Sequence, residues 1–245
     1  MSSPQQKLVV VTGASRGLGL AISRALLGAG YRVLAVARQH SAELQQLAAD
    51  HGEQLAFAAC DLAEIDALPE ACKDWVKQHG RPWGLINNAA VGRDGILATL
   101  HDRDIELLLR VNLQAPILLC KYLSRPMLLN GGGRIVNIAS VVANTGYKGL
   151  SVYAASKAGL VGLSRSLARE LGKGGITVNA LLPGFMATDM TAALEGDKLD
   201  SIQRRSAIGR LAGVDEVAAA VVYLLSDAAA AVTGTTLTVD GGGSA

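Results

Sequence analysis

Short apolar runs rich in Val, Ile and Leu recur along the chain at 8–11, 33–36, 55–58, 85–86, 135–138, 176–182 and 237–239. Between them lie Ala-, Leu- and Glu-rich stretches of helical character at 18–27, 42–49, 67–77, 103–129, 153–171 and 215–225. The runs are continuous more than alternating, which is the pattern of strands covered on both faces. Strict alternation of strand and helix demands crossover connections. It therefore predicts an α/β chain, an open doubly wound parallel sheet with helices on both faces. The 245 residues suit one domain of the larger kind. No internal repeat and no long Pro/Ser-rich linker interrupts them, and Gly131-Gly132-Gly133 reads as a helix stop before a strand. The expectation is a single domain over 1–245.

Composition removes several function classes. Lys+Arg number 23 and Asp+Glu 21, a net charge of +2 with no polybasic cluster, which argues against a nucleic-acid or membrane-surface protein. Cys60, Cys72 and Cys120 are odd in number and form no CxxC pair, and the four histidines include no HxxxH pair, so neither a disulfide framework nor a metal site is suggested. The opening residues are polar and run straight into an apolar strand, unlike a signal peptide. No uncharged apolar run reaches the ~18 residues of a membrane span. A cytoplasmic protein is expected.

The first strand ends in Thr12-Gly13-Ala14-Ser15-Arg16-Gly17-Leu18-Gly19, and a helix follows. Glycines allow a tight turn and let backbone N–H groups approach a pyrophosphate at the positive end of the helix. The spacing is GxxxGxG. A glycine pattern alone could be only a turn; its setting between strand and helix is what points to a nucleotide. The same residues match the GxSxG nucleophile elbow, but that fold needs a histidine late in the chain, and the last one here is His101. Arg38 stands 19 positions after Gly19, where an NAD site usually places an acid for the ribose 2′-hydroxyl. With Arg16 in the loop, two cations near one ribose suit a 2′-phosphate and so NADP(H); the alternative is a pair of solvated surface arginines.

Ser140 and Tyr153-Ala154-Ala155-Ser156-Lys157 form a second pattern. Tyr and Lys four apart project from one helix face. A phenol has an ordinary pKa near 10, and a neighbouring ammonium favours its ionised form. With a hydroxyl nearby, such a pair can pass a proton to or from a carbonyl or alcohol oxygen. Taken alone, Tyr and Lys at this spacing are ordinary helix residues.

Taken in order, the motifs resemble the short-chain dehydrogenase/reductase family over essentially the full length. They are 12–19, Asp61-Leu62, Asn87-Asn88-Ala89, Asn112, Ser140, 153–157, Pro183-Gly184 with Thr188, and Thr238-Val239-Asp240-Gly241-Gly242. Asn179, Phe185, Thr188-Asp189-Met190-Thr191 and Gly209-Arg210-Leu211 resemble its 3-oxoacyl-(acyl-carrier-protein) reductases most. The resemblance implies a sheet order of 3-2-1-4-5-6-7. It implies Tyr153 as catalytic acid/base, Lys157 on the nicotinamide ribose and lowering the tyrosine pKa, and Ser140 on the substrate oxygen. Asn112 would support a relay water beside Lys157. NADP(H) would be held by Gly13, Ser15, Arg16, Gly17, Leu18 and Gly19 of the loop, with Arg38. Asp61 and Leu62 would lie near adenine, and Asn88 and Ala89 near the middle of the cofactor. Pro183, Gly184 and Thr188 would follow at the pyrophosphate or carboxamide. Substrate would meet Ser140, Tyr153 and Phe185. No metal is implied. The reaction would be NADPH-dependent reduction of a 3-oxoacyl thioester, carried on an acyl carrier protein or on CoA, in a homotetramer pairing its long helices around 112–129 and 153–171. The segment 187–210 is read as a substrate lid. Rival readings are a broader carbonyl or alcohol oxidoreductase acting on a quinone, steroid or sugar, and a non-catalytic NADP(H)-binding regulator. Two departures stand out: Ala90 follows Asn87-Asn88-Ala89 where the family usually has Gly, and Gly174-Gly175 stand where the carrier-protein reductases often have a basic residue.

Overall fold

A computed structural model of the protein describes residues 6–186 and 203–245. Its strands are β1 (Leu8–Thr12), β2 (Arg32–Ala37), β3 (Leu55–Ala59), β4 (Gly84–Asn87), β5 (Gly133–Ile138), β6 (Ile176–Pro183) and β7 (Thr236–Val239). The helices among the described residues are α1 (Gly17–Gly28), α2 (Ala42–His51), α3 (Leu68–His79), α4 (Asp102–Leu109), α5 (Ala115–Leu129), α6 (Val142–Thr145), α7 (Ser151–Leu171) and α8 (Val214–Leu225). All strand pairs are parallel, in one sheet of order β3-β2-β1-β4-β5-β6-β7, as the resemblance implied.

The sheet explains the continuous apolar runs. Successive residues of a strand point to opposite faces, and here both faces are covered. Val9 and Val11 of β1 pack with Ile22 and Leu26 of α1 and Val221 and Leu224 of α8. Val10 between them joins Leu119, Leu123 and Met127 of α5 on the other face, with Trp75 of α3. Every residue of β1, β5 and β6 is buried, and the buried amides of Asn137 and Asn179 are accordingly hydrogen-bonded, whereas the Thr177 hydroxyl is not. Edge strand β7 is only partly buried.

Two features differ from the sequence expectation. The stretch 103–129 is helical throughout, yet Arg110–Gln114 form a π turn between α4 and α5. The short α6 had no sequence signal. The expected lid falls largely on 187–202, outside the described residues, as does Thr188. Its far end is anchored: Ser206 Oγ donates to the Gly241 carbonyl (2.9 Å), and Arg210 makes two 2.7 Å bonds to Glu216 in the first turn of α8. That guanidinium, with the Gly213 N–H, holds the Glu216 carboxyl down at about 2. No helix of the described residues is long and apolar enough to cross a membrane.

Candidate active site

The C-terminal ends of adjacent parallel strands lie in a row. Sheet order therefore arranges the loops carrying Asp61, Arg38, Gly13, Asn88, Ser140 and Gly184 along one edge. The strand order reverses between β1 and β4, the switch point where such sheets bind ligands. There the two loops are stitched together. Thr12 Oγ1 donates to the Ile86 carbonyl (3.2 Å) and accepts from the N–H groups of Asn88 (3.0 Å) and Ala89 (3.1 Å). Asn88 Nδ2 donates to the carbonyls of Thr12 (2.9 Å) and Gly13 (3.3 Å). Gly13 has φ +66°, and a Cβ on it would sit 2.8 Å from Ala89 Cα. A Cβ on Gly19 would overlap the Gly13 carbonyl, so both glycines are required by close approach. Ala90 carries no backbone strain: no non-glycine residue among those described has positive φ, so this position does not use a glycine's freedom.

The start of α1 fits an anion. Its N-cap, Arg16, is extended and contributes no side-chain cap, and no acid stands in the first turn. The positive end of the helix is thus left for a ligand to neutralise. Ser41 Oγ, which also caps α2 by accepting from Leu44 N–H, donates to the Ser15 carbonyl. This bond ties the glycine loop to the loop after β2, so Arg16 and Arg38, both exposed, belong to one joined pair of loops. Asp61 follows β3 and accepts from Ala63 N–H (2.9 Å). Leu18 and Leu62 are buried among core side chains, which leaves their backbone as the part able to meet a ligand.

Beyond β5 lie the proton-handling groups. The Ser140 hydroxyl lies beside the Tyr153 phenol and favours its ionised form, and Tyr153 sits in the first turn of α7. Lys157, one turn on and 2% exposed, donates to the Ile138 carbonyl (2.8 Å), with Nζ 5.6 Å from the Tyr153 ring centroid. Burial governs both titrations. It pushes the Tyr153 phenol up to about 12 against the opposing effect of the Ser140 hydroxyl, and the Lys157 ammonium down to about 8. The phenol is therefore held protonated in this state rather than lowered by its neighbour. A protonated phenol is the form that can donate to a carbonyl oxygen.

Asn112 occupies the π turn. Its Oδ1 accepts from Val91 N–H (2.8 Å) and its Nδ2 donates to the Val91 carbonyl (2.9 Å). The widened turn aims a fully buried amide at the strand-end loop 88–91, where π turns commonly serve sites. A second buried polar seam lies beneath. Asn87 Nδ2 donates to Asn137 Oδ1 (2.7 Å), and Asn137 Nδ2 to Ser164 Oγ (2.8 Å), linking β4 and β5 to α7. Phe185, two residues beyond the end of β6, faces Tyr147. The sequence reading passed over Thr12, Ser41 and Tyr147. Thr12 lay inside a quoted motif and was within reach; Ser41 and Tyr147 had no signal of spacing.

Residues 13–244 match a family model described as enoyl-(acyl carrier protein) reductase. The chain is 40% identical over 238 residues to the 3-oxoacyl-[acyl-carrier-protein] reductase FabG of Escherichia coli (strain K12), covering 96% of each chain. The chain belongs to the short-chain dehydrogenase/reductase family. Another relative, carbonyl reductase family member 4 of Xenopus tropicalis, is 39% identical over 236 residues, covering 96% of this chain and 97% of that one. A crystal structure of a gluconate 5-dehydrogenase from Burkholderia cenocepacia J2315, in complex with NADP and tartrate, superposes with a TM-score of 0.92 at 31% identity, covering 98% of this chain and 95% of that one. As a short-chain dehydrogenase/reductase, the protein is an oxidoreductase.

Proposed function

We propose that the protein is an NADPH-dependent reductase of 3-oxoacyl thioesters, yielding the 3-hydroxyacyl thioester. The observation that carries the chemistry is the grouping of Ser140, Tyr153 and a buried Lys157 fixed on the Ile138 carbonyl, at the end of the anion-ready edge. NADP(H), when bound, supplies the hydride. The glycine loop and the start of α1 would hold its pyrophosphate, and Arg16 and Arg38 its 2′-phosphate. Ser140 orients the substrate carbonyl, and Tyr153 gives its proton to the oxygen as negative charge develops there. Lys157, fixed on the Ile138 carbonyl, keeps a positive charge behind the phenol. Asn112 holds the 88–91 loop in place.

The thioester reading is supported by the FabG relative and by apolar side chains at the mouth, where Ile96 and Leu97 are 52% and 56% exposed. A broader carbonyl or sugar specificity is favoured by one observation, the gluconate 5-dehydrogenase neighbour. The reading also includes one catalytic domain over 1–245 with a lid about 187–210, a cytoplasmic setting and a homotetramer paired through α5 and α7. Light scattering at micromolar concentration checks the tetramer. Gly174 and Gly175 leave a carrier-protein contact to be tested against coenzyme A.

The test is kcat/KM with NADPH on acetoacetyl-CoA, an acetoacetyl carrier protein, 5-ketogluconate and a quinone. Thioesters should lead, and Tyr153→Phe should lose ~100-fold or more in kcat while NADPH binding persists. Activity confined to the sugar or the quinone would sink the thioester reading and leave the family untouched.

A further inference from the structure

An aromatic pair stands at the mouth of the site and has no part in the proton chemistry. The chain has 2 Phe and 5 Tyr, and neither Phe is buried in the core. Phe57 stacks flat on His40, with ring centroids 4.3 Å apart. Phe185 stands against Tyr147, centroids 5.5 Å apart and planes tilted by 60°. Tyr147 is 40% exposed.

The position of this pair follows from the backbone. Tyr147 lies in the loop between Ser140 and Tyr153, and its carbonyl accepts from Leu150 N–H (3.1 Å) directly before α7. Phe185 follows Pro183, whose carbonyl accepts from Val141 N–H (3.1 Å), next to Ser140. The two rings therefore bridge the loops on either side of the hydroxyl that orients the substrate. Opposite, Gly95 N–H donates to the Gly149 carbonyl (2.9 Å), bringing exposed Ile96 and Leu97 against the same loop. Flat rings and branched alkyl groups offer little to a polyol and much to methylene groups, which gain by leaving water.

We propose that Tyr147, with Phe185, forms a shelf for the alkyl tail of the acyl group, making Tyr147 a chain-length determinant. This rests on the thioester reading above. The carrier end must leave toward solvent, so the tail beyond C3 is the part that can lie on the shelf. A fully buried methylene is worth roughly fourfold, so partial cover of four extra methylenes favours 3-oxooctanoyl over acetoacetyl by about tenfold or more.

The experiment is kcat/KM with NADPH on acetoacetyl-, 3-oxohexanoyl- and 3-oxooctanoyl-CoA for wild type, Tyr147→Phe and Tyr147→Ala. The wild type should prefer the longer chain. Tyr147→Phe should keep its C8/C4 ratio, while Tyr147→Ala should lower that ratio by about fivefold or more, since the ring covers more than one methylene, chiefly through KM. A wild type without preference for length, an unchanged ratio in Tyr147→Ala, or equal losses at every length would overturn the shelf. If the wild type reduces acetoacetyl-CoA and only the ratio fails, the shelf alone falls. If it reduces no thioester, the proposed function falls with it.

Discussion

Lys157→Met removes a buried cation while keeping a long unbranched side chain in its place. The ammonium is buried, and its pKa drops from 10.5 to about 8 on folding. Each pH unit of that drop is worth about 1.4 kcal/mol, so carrying the charge at pH 7 costs the fold about 3 kcal/mol. The substitution also forfeits the 2.8 Å bond of a charged donor to the Ile138 carbonyl, worth about 2 kcal/mol. The variant should thus be more stable by about 1 kcal/mol, or ~2–4 °C in Tm for a chain of this size. Turnover should fall ~100-fold or more. The pH dependence has a definite sign. The folded-state pKa lies below the unfolded one, so between about 8 and 10.5 the unfolded chain binds more protons and wild-type stability rises with pH. Below about 8 the penalty is fully present. The Tm gap between variant and wild type should be widest near pH 7 and narrow by pH 9.5. The Tyr153 phenol, raised to about 12, adds its own term only above pH 10. Melting curves of the ligand-free proteins across this range decide it. A gap that stays constant with pH, or a variant several degrees less stable at pH 7, would refute the assignment of a buried, destabilising charge.

Thioester reduction by the wild type should lose kcat/KM as pH rises through about 8, where Lys157 gives up its proton in the free enzyme; a profile flat to pH 9 would contradict this. Arg38→Asp should bring NADPH and NADH to near parity or invert their order. A charge-assisted bond is worth roughly 10- to 150-fold, and kcat/KM for both cofactors reads the change; equal wild-type values would show the arginines to be merely solvated. Gly19→Ala should weaken NADPH binding ~100-fold, on the scale of strain overpacking brings, because its Cβ would overlap the Gly13 carbonyl. Titration of the folded variant checks this, and unaltered affinity would mean the loop tolerates displacement.

The sheet was legible because burial on both faces forces continuous apolar runs, as in β1, β5 and β6. The strand order came from resemblance; alternation alone gives a parallel sheet without saying which strands are neighbours. The motifs marked the strand-end loops and α7 as the places where the described candidate side chains lie. Their partners did not show, because those partners are backbone groups: the Ile138 carbonyl for Lys157, and both backbone groups of Val91 for Asn112. The Tyr153 shift did not show for a related reason: sequence reveals a charged neighbour four residues away, but not the burial that pushes the phenol up. Tyr147 was invisible because an exposed loop residue acquires meaning only from the ring across the cleft.

The π turn at Arg110–Gln114 also has a consequence for how this chain can vary in length. An α-helix advances about 100° per residue, so a single extra residue wound regularly resets the bearing of everything downstream. Here the wide turn lets one continuous rod point Asn112 at the 88–91 loop while α5 turns Leu119, Leu123 and Met127 into the sheet. The π turn takes up about one residue more than regular winding would, so deleting one residue within 110–114 would restore the α-helix and leave α5 on nearly the same bearing, with Leu119, Leu123 and Met127 still on the sheet. What such a deletion removes is the wide turn that aims Asn112 at the 88–91 loop. A second deletion would swing α5 by ~100° and set half-exposed Ile117 and Leu128 against the bearing of those three.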